Sequence, residues 1–229
     1  DCPEVRGLID RMESLLTDMN RRWKFAGINF DHFHMGDLLR QVYNHPDAEI
    51  AAICDEQRER MTDAQRNFGL SDSQVFTGVR ECLESSRPDA IILCPAAARH
   101  AEWLERVIAV HPAPVFIEKP FAASLEEADR MIALMKSVNQ PLFINWPLCW
   151  VPAHATAYRL VQEGVIGQLR EVHFYDGNRG PLWHGADKIE LEPTAERKAA
   201  SWFYKKAEGG GSLLDYLGYG TTLAAWYLN

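Results

Sequence analysis

Short apolar runs alternate with amphipathic stretches along most of the chain. Runs of strand length lie at Trp23–Asn29, Glu49–Cys54, Ala90–Cys94, Pro114–Ile117 and Leu142–Asn145. Between them, apolar residues recur at helical spacing near Gly36–Tyr43, Glu56–Phe68, His100–Ala109 and Leu125–Val138. Strands separated by helices build βαβ units, because a parallel neighbour can be reached only through a long crossover. The pattern therefore predicts an α/β fold with a doubly wound, mostly parallel sheet. Ser124, with Glu127 three residues later, forms a capping box that starts a helix directly behind Glu118-Lys119-Pro120.

The rhythm changes at both ends. Glu4–Met19 carries apolar residues at helical spacing, so residues 1–20 read as a helical extension and 21–147 as the sheet domain. Beyond Trp146, a helix over Ala153–Glu163 closes with Gly164, and a strand is predicted at Leu169–Tyr175. An irregular loop follows, and then Gly209-Gly210-Gly211 precedes an apolar helix from Ser212 to Leu228. One strand and two helices make a poor independent core, since an isolated strand leaves its backbone groups unpaired. Residues 148–229 therefore read as the start of an α+β domain with an open sheet, and further C-terminal sequence is expected.

With 229 residues and 47% hydrophobic content, the chain can bury one or two cores. Its formal charge of −8 argues against nucleic acid or an anionic membrane as a partner, since both are met by basic patches. No apolar stretch approaches the roughly 20 residues that span a bilayer. Five cysteines without a CxxC pair suit a reducing, cytoplasmic compartment. His32 and His34 stand close together but lack the companions of a metal motif, so no metal is assigned.

Chemistry gathers at the ends of the predicted strands. The turn Gly27-Ile28-Asn29-Phe30-Asp31-His32 is a damaged GxGxxG, with Asn29 and His32 in the second and third glycine positions. Such a turn holds a pyrophosphate against backbone N–H groups, and asparagine tolerates the left-handed backbone that a second glycine supplies. Gly36 is expected to allow close helix packing. Asp55 ends the second strand at the separation from which a carboxylate binds adenosine ribose hydroxyls. A carboxylate there repels a 2′-phosphate, so NAD is expected, with Arg58 and Arg60 leaving NADP open. Capping a helix is the alternative role for Asp55. Lys119 sits at the carboxyl end of a strand, where open α/β sheets bind ligands, and Pro120 fixes the direction in which it leaves. Asn145 and Trp146 follow the last strand and can line the cofactor, or Trp146 can pack the domain junction.

Together these residues resemble the Gfo/Idh/MocA oxidoreductases, the glucose–fructose oxidoreductase and inositol dehydrogenase family. The carriers are the damaged turn, Cys54-Asp55, Cys94-Pro95 with His100, Glu118-Lys119-Pro120, and the stretch from Gly209 to Tyr219. The resemblance implies a Rossmann domain, a C-terminal domain with an open sheet used for homo-oligomers, a bound nicotinamide dinucleotide and a sugar-like substrate. It implies that Lys119 contacts substrate and cofactor, and that Asp215 and Tyr219 approach the substrate carbon. Residues four apart share a helical face, so Asp215 and Tyr219 are expected to point together. Their implied roles are Tyr219 as general acid/base, Asp215 as acceptor of a substrate hydroxyl and Lys119 as the cation that stabilises the phenolate. His32, His100, Arg179 and His184 are further pocket candidates. The expected reaction is hydride transfer between nicotinamide and a sugar, cyclitol or polyol carbon. The alternatives are sugar chemistry without net redox change and a dinucleotide-binding protein without turnover.

Overall fold

The computed structural model describes residues 21–175, 180–183 and 192–228. Six parallel strands form one sheet: β1 (Trp23–Ile28), β2 (Ala48–Cys54), β3 (Val75–Phe76), β4 (Ala90–Leu93), β5 (Val115–Glu118) and β6 (Leu142–Asn145). Their order is β3-β2-β1-β4-β5-β6. The order reverses between β1 and β4, which places a topological switch point at their carboxyl ends.

Successive side chains of a strand face opposite ways, so each strand feeds two cores. On one face, Ile50, Ile53, Ile92 and Cys94 pack against α1 (His34–Asn44) and α2 (Thr62–Phe68) through Met35, Leu39, Ala64 and Phe68. On the other, Ala26, Ile28, Ile91, Leu93, Val115 and Ile117 meet α3 (Val79–Ser86), α4 (His100–Ile108) and α5 (Leu125–Ser137). Trp103, Leu104, Val107 and Met131 fill that side. A residue with apolar neighbours in both directions along the chain is what a doubly wound sheet requires, and the near-continuous apolar runs supply it.

Several boundaries differ from the sequence reading. Strand β3 and helix α3 were not expected, because two residues show no alternation and α3 is short. The helix expected from Glu56 begins later, with a 3₁₀ turn at Arg58–Met61 ahead of α2. The Asp55 carboxylate accepts from the Gln57 N–H at 2.8 Å and holds that stretch extended. Ser124 caps α5 through the Glu127 N–H, so the serine half of the expected box forms.

After β6 the described chain is helical: α6 (Pro152–Gln162), α7 (Ala195–Ala200), α8 (Ser212–Asp215) and α9 (Leu217–Leu228). The strand expected at Leu169–Tyr175 is not formed. Val172 and Phe174 are half-buried between exposed neighbours, so the alternation is real, but no described strand pairs with it. The helix expected over Ser212–Leu228 is interrupted at Tyr216, where φ is −103°. Tyr158 on α6 stacks on Trp226 of α9 with ring centroids 4.7 Å apart. The expected helix Glu4–Met19 lies outside the described residues. No described helix is long and apolar enough to cross a membrane.

Candidate active site

Three groups of residues meet at the carboxyl ends of β1, β4 and β5. The first is the turn after β1. Gly27 is needed for packing: a Cβ there would lie 3.0 Å from Met35 Sδ and 3.1 Å from Leu39 Cδ2. Asn29 adopts the expected left-handed backbone, with φ +66°. Its Oδ1 accepts from Asp31 N–H at 2.7 Å. The Phe30 N–H donates to Asp55 Oδ2 at 2.7 Å, and His32 N–H to the Cys94 carbonyl at 3.1 Å. His34 N–H donates to His32 Nδ1 at 3.1 Å, Met35 N–H to His32 O at 3.2 Å and Gly36 N–H to Phe33 O at 3.3 Å. The amides that such a turn normally presents to a pyrophosphate are thus engaged within the chain. Asp55 is buried and braces this turn.

The second group surrounds Glu118, which is fully buried. Its Oε2 accepts from Asn145 Nδ2 at 2.8 Å, and its Oε1 lies 3.0 Å from His34 Nδ1. His32 Nε2 approaches the same Oε1 at 3.9 Å and has no hydrogen-bond partner. Donor atoms of His32, His34 and Glu118 lie within 4.8 Å of one another, the spacing of a metal cluster. The tautomer opposes that use. Because His32 Nδ1 accepts from the His34 amide, the proton of the neutral ring belongs on Nε2. Burial, followed by the charges of His34, Lys119 and His100, keeps the His32 pKa well below the ordinary value, so the ring stays neutral. What points at Glu118 is an N–H that stands 3.9 Å from the carboxylate without a partner and offers a metal no lone pair.

Lys119, Asp215 and Tyr219 form the third group, brought together from β5 and from α8 and α9. Lys119 and Asp215 are buried and ion-paired, Nζ donating to Oδ1. Nζ also lies 5.3 Å from the centroid of the Tyr219 ring. Burial alone pulls Lys119 down, but Asp215, Tyr219 and Glu118 outweigh it, and its pKa rises above the ordinary value. The lysine is therefore a permanent cation. Tyr219 is raised as well: burial is the largest cause and Asp215 adds to it, while Lys119 pulls the other way. The lysine cation expected to stabilise a phenolate does act, but it loses to burial.

Trp146 packs edge-on against Tyr219 at 5.6 Å, which favours its packing role. Gly218 makes room for it, since a Cβ there would meet Trp146 Cη2 at 2.1 Å. Gly209 and Gly210 abut Ala97 and the Trp202-Phe203 backbone, so close packing within the chain is what needs glycine there. His100 is buried and ties two loops together, its ring nitrogens 3.0 Å from the Phe121 carbonyl and 3.1 Å from that of Pro95. Cys94 is buried beneath the turn, and burial pushes its thiol pKa up. Arg179 and His184 lie outside the described residues.

Sequence reasoning missed the surroundings of Asp31. Trp202 Nε1 donates to the Asp31 carbonyl at 3.1 Å, and Trp202 stacks on Phe203 at 4.0 Å over Ala96, Ala97 and Phe33. No spacing rule joins residues 171 positions apart. The crevice left beside them, about 470 Å³, is lined by Phe30, Asp31, Arg60, Ala96, Arg99 and Trp202 among others. It lies at the switch point and carries two guanidinium groups. In topology and in those cations, the residues present fit a nicotinamide dinucleotide, although the anchor for its phosphates differs from a glycine turn.

Sheet order and switch-point crevice define a doubly wound α/β fold of the dinucleotide-binding type. The chain belongs to the Gfo/Idh/MocA oxidoreductase family with an NAD-binding Rossmann fold, whose family model matches residues 23–146. It is 28% identical over 155 residues to D-apiose dehydrogenase of Paraburkholderia graminis, covering 67% of this chain and 40% of that protein. It is 26% identical over 183 residues to dTDP-3,4-didehydro-2,6-dideoxy-alpha-D-glucose 3-reductase of Actinomadura kijaniata, covering 80% of this chain and 49% of that protein. The crystal structure of aldose-aldose oxidoreductase from Caulobacter crescentus, complexed with glycerol, superposes with a TM-score of 0.71 at 18% identity. That likeness covers 91% of this chain and 58% of the other. The chain thus spans about half the length, or less, of the curated relatives named.

Proposed function

We propose that the protein is an NAD(P)-dependent oxidoreductase that moves a hydride between nicotinamide and the hydroxyl or carbonyl carbon of a sugar, cyclitol or related polyol. The observation that carries this reading is the buried Lys119–Asp215 ion pair beside Tyr219, at the carboxyl end of β5, one strand from the switch point. An ion pair removed from water on this scale is weak evidence for stability, so a functional reason for it is favoured. The sugar-directed names of the two curated relatives support the substrate class.

Bound nicotinamide supplies the hydride donor or acceptor. Phe30, Arg60 and Arg99 would hold the dinucleotide in the switch-point crevice. Tyr219, kept protonated by its raised pKa, is suited to give its proton to a substrate carbonyl oxygen as that oxygen becomes a hydroxyl. Lys119 would stabilise both the developing oxyanion and the phenolate left behind. Asp215 would accept from a neighbouring substrate hydroxyl. These residues thus favour carbonyl reduction; oxidation requires the tyrosine to be deprotonated first. The free, buried thiols of Cys54, Cys82 and Cys94 support a cytoplasmic compartment, and the family reading supports a homo-oligomer.

Titration of the purified protein with NADH, followed by nicotinamide fluorescence, tests the cofactor; no binding at millimolar concentration overturns it. A second reading, dinucleotide binding without turnover, is favoured by the engaged amides of the β1 turn. NADH binding without oxidation in the presence of a panel of ketosugars would support that reading instead.

A further inference from the structure

We infer that Asp31, Arg60 and Arg99 form the anion site of this chain, in which the Asp31 carboxylate holds the place of a dinucleotide's pyrophosphate until the ligand displaces it. This rests on the dinucleotide reading proposed above. Asp31 Oδ2 accepts from the Ala96 N–H at 3.1 Å, and Arg99 Nη1 lies 3.9 Å from the same oxygen. Asp31 Oδ1 is ion-paired with Arg60. The carboxylate therefore joins the loop after β1 to the loop after β4, the two loops that border the switch point. One backbone N–H and two guanidinium groups make a donor set that suits phosphoryl oxygens as well as a carboxylate.

The position of the charges explains the arrangement. With the turn amides of Phe30, Asp31, His32 and His34 engaged elsewhere, side-chain cations are what remains to meet a pyrophosphate. Both arginines are partly exposed, at 36% and 38% of their side chains, whereas the Asp31 side chain is 10% exposed. The cations thus reach the 470 Å³ crevice from either side of a carboxylate set below them. Carboxylates are plentiful nearby: Arg60 is also 3.8 Å from Asp55, and Arg99 is 3.3 Å from Glu102 and 3.8 Å from Glu56. Arg106 shares Glu56 and Glu102, and Lys205 holds Glu208, the other acid lining the crevice, at 3.0 Å, which leaves Asp31 as the lining carboxylate that pairs with both arginines. Anion affinity should be weak while Asp31 is in place and rise when its charge is removed.

Isothermal titration with inorganic pyrophosphate tests this, using the wild-type protein, Asp31→Asn, Arg60→Gln and Arg99→Gln, each first checked by thermal melting. Asp31→Asn retains an acceptor for the Ala96 N–H and should tighten pyrophosphate about tenfold or more, because a like charge next to a bound anion costs several kcal/mol. Each arginine variant should weaken it about tenfold, the value of a charge-assisted hydrogen bond. Equal affinities across the proteins, or no binding even to Asp31→Asn at millimolar concentration, overturn the inference. Should Asp31→Asn fail to fold, the two glutamine variants decide it in the same way. Parallel NADH titrations separate the two readings. NADH binding without any pyrophosphate response removes this anion site and leaves the dinucleotide reading standing. The expected pyrophosphate response without NADH binding does the reverse.

Discussion

The turn after β1 and the cluster after β5 occupy equivalent places in the fold, yet they are built in opposite ways. Around the turn, backbone amides are taken up by the chain itself: Asp55, Asn29, the Cys94 carbonyl and His32 accept from them. Around Lys119, a cation and a carboxylate 96 residues apart in sequence are withdrawn from water together beside a tyrosine. The first is a self-contained loop that a ligand must open. The second is a prepared charge pair whose arrangement has little to recommend it other than chemistry. On the function proposed above, one fold would retain its reactive end while its phosphate end is rebuilt from side chains.

The sharpest way to break this contrast is Lys119→Ala. Loss of the cation should lower turnover about a thousandfold, within the range for losing a positioned acid–base partner or an electrostatic stabiliser. It also leaves Asp215 buried without its partner, which is destabilising by about 3–5 kcal/mol. The double variant Lys119→Met with Asp215→Leu separates the effects, since it removes both charges; melting temperature should recover while activity does not. Recovery of both would reduce the cluster to packing. At the turn, no single truncation should abolish turnover.

Gly218→Ala strikes the same cluster through packing. The new methyl would meet the Trp146 ring at 2.1 Å, and the indole is held against Tyr219. Overpacking of this kind is destabilising by about 1–3 kcal/mol, and a displaced tyrosine should lower kcat more than it raises KM. Chemical denaturation and steady-state kinetics check the two halves. The corresponding substitution at Gly27 meets the flexible ends of Met35 and Leu39 and should be milder.

Acid titration reaches both regions. His32 and His100 have folded-state pKa values below the ordinary one, chiefly through burial, so the unfolded chain binds more protons as pH falls. Their contribution to stability is complete above about pH 6.5, the unfolded value, and is lost as pH drops towards the folded values. Melting temperature should therefore fall between neutral and mildly acidic pH, and His32→Asn should flatten part of that slope. An unchanged slope would mean that His100 and the carboxylates carry it. Tyr219 acts in the opposite direction on catalysis: with its pKa raised, alcohol oxidation should strengthen with rising pH over a range where carbonyl reduction is nearly flat.

The sequence made some of this legible and hid the rest for physical reasons. Apolar runs placed five of the six strands, because strands buried on both faces carry an unbroken signal. Strand β3, two residues long, has too little pattern to read. Lys119 is legible from its strand end and Asp215 with Tyr219 from helical spacing and a resemblance, and the structure brings the three into one cluster. The Asp31 network was invisible because each of its links crosses from one loop to another: Ala96, Arg60, Arg99 and Trp202 are distant in sequence and unremarkable singly. Asp55 shows a limit of another kind. Its two oxygens accept from backbone amides, a use that spacing along the chain does not distinguish from ribose binding.

The smallest expected effect is at Asn29, where the two regions differ in how they depend on backbone shape. Left-handed backbone is unfavourable by about 1–2 kcal/mol for most residues, less for asparagine and not at all for glycine. Asn29→Gly restores the glycine of an ordinary dinucleotide turn and relieves φ +66°, but it removes the Oδ1 that accepts from Asp31 N–H. The two changes oppose one another, so stability should shift by no more than about 1 kcal/mol. The freed Asp31 amide would then be available to an incoming phosphate. Pyrophosphate affinity should rise modestly, by less than for Asp31→Asn, while the Lys119 cluster and its turnover in saturating cofactor stay as they were. A loss of affinity would instead mean that Oδ1 holds the turn in its binding shape, making Asn29 part of the anchor and the turn less self-contained than its hydrogen bonds imply.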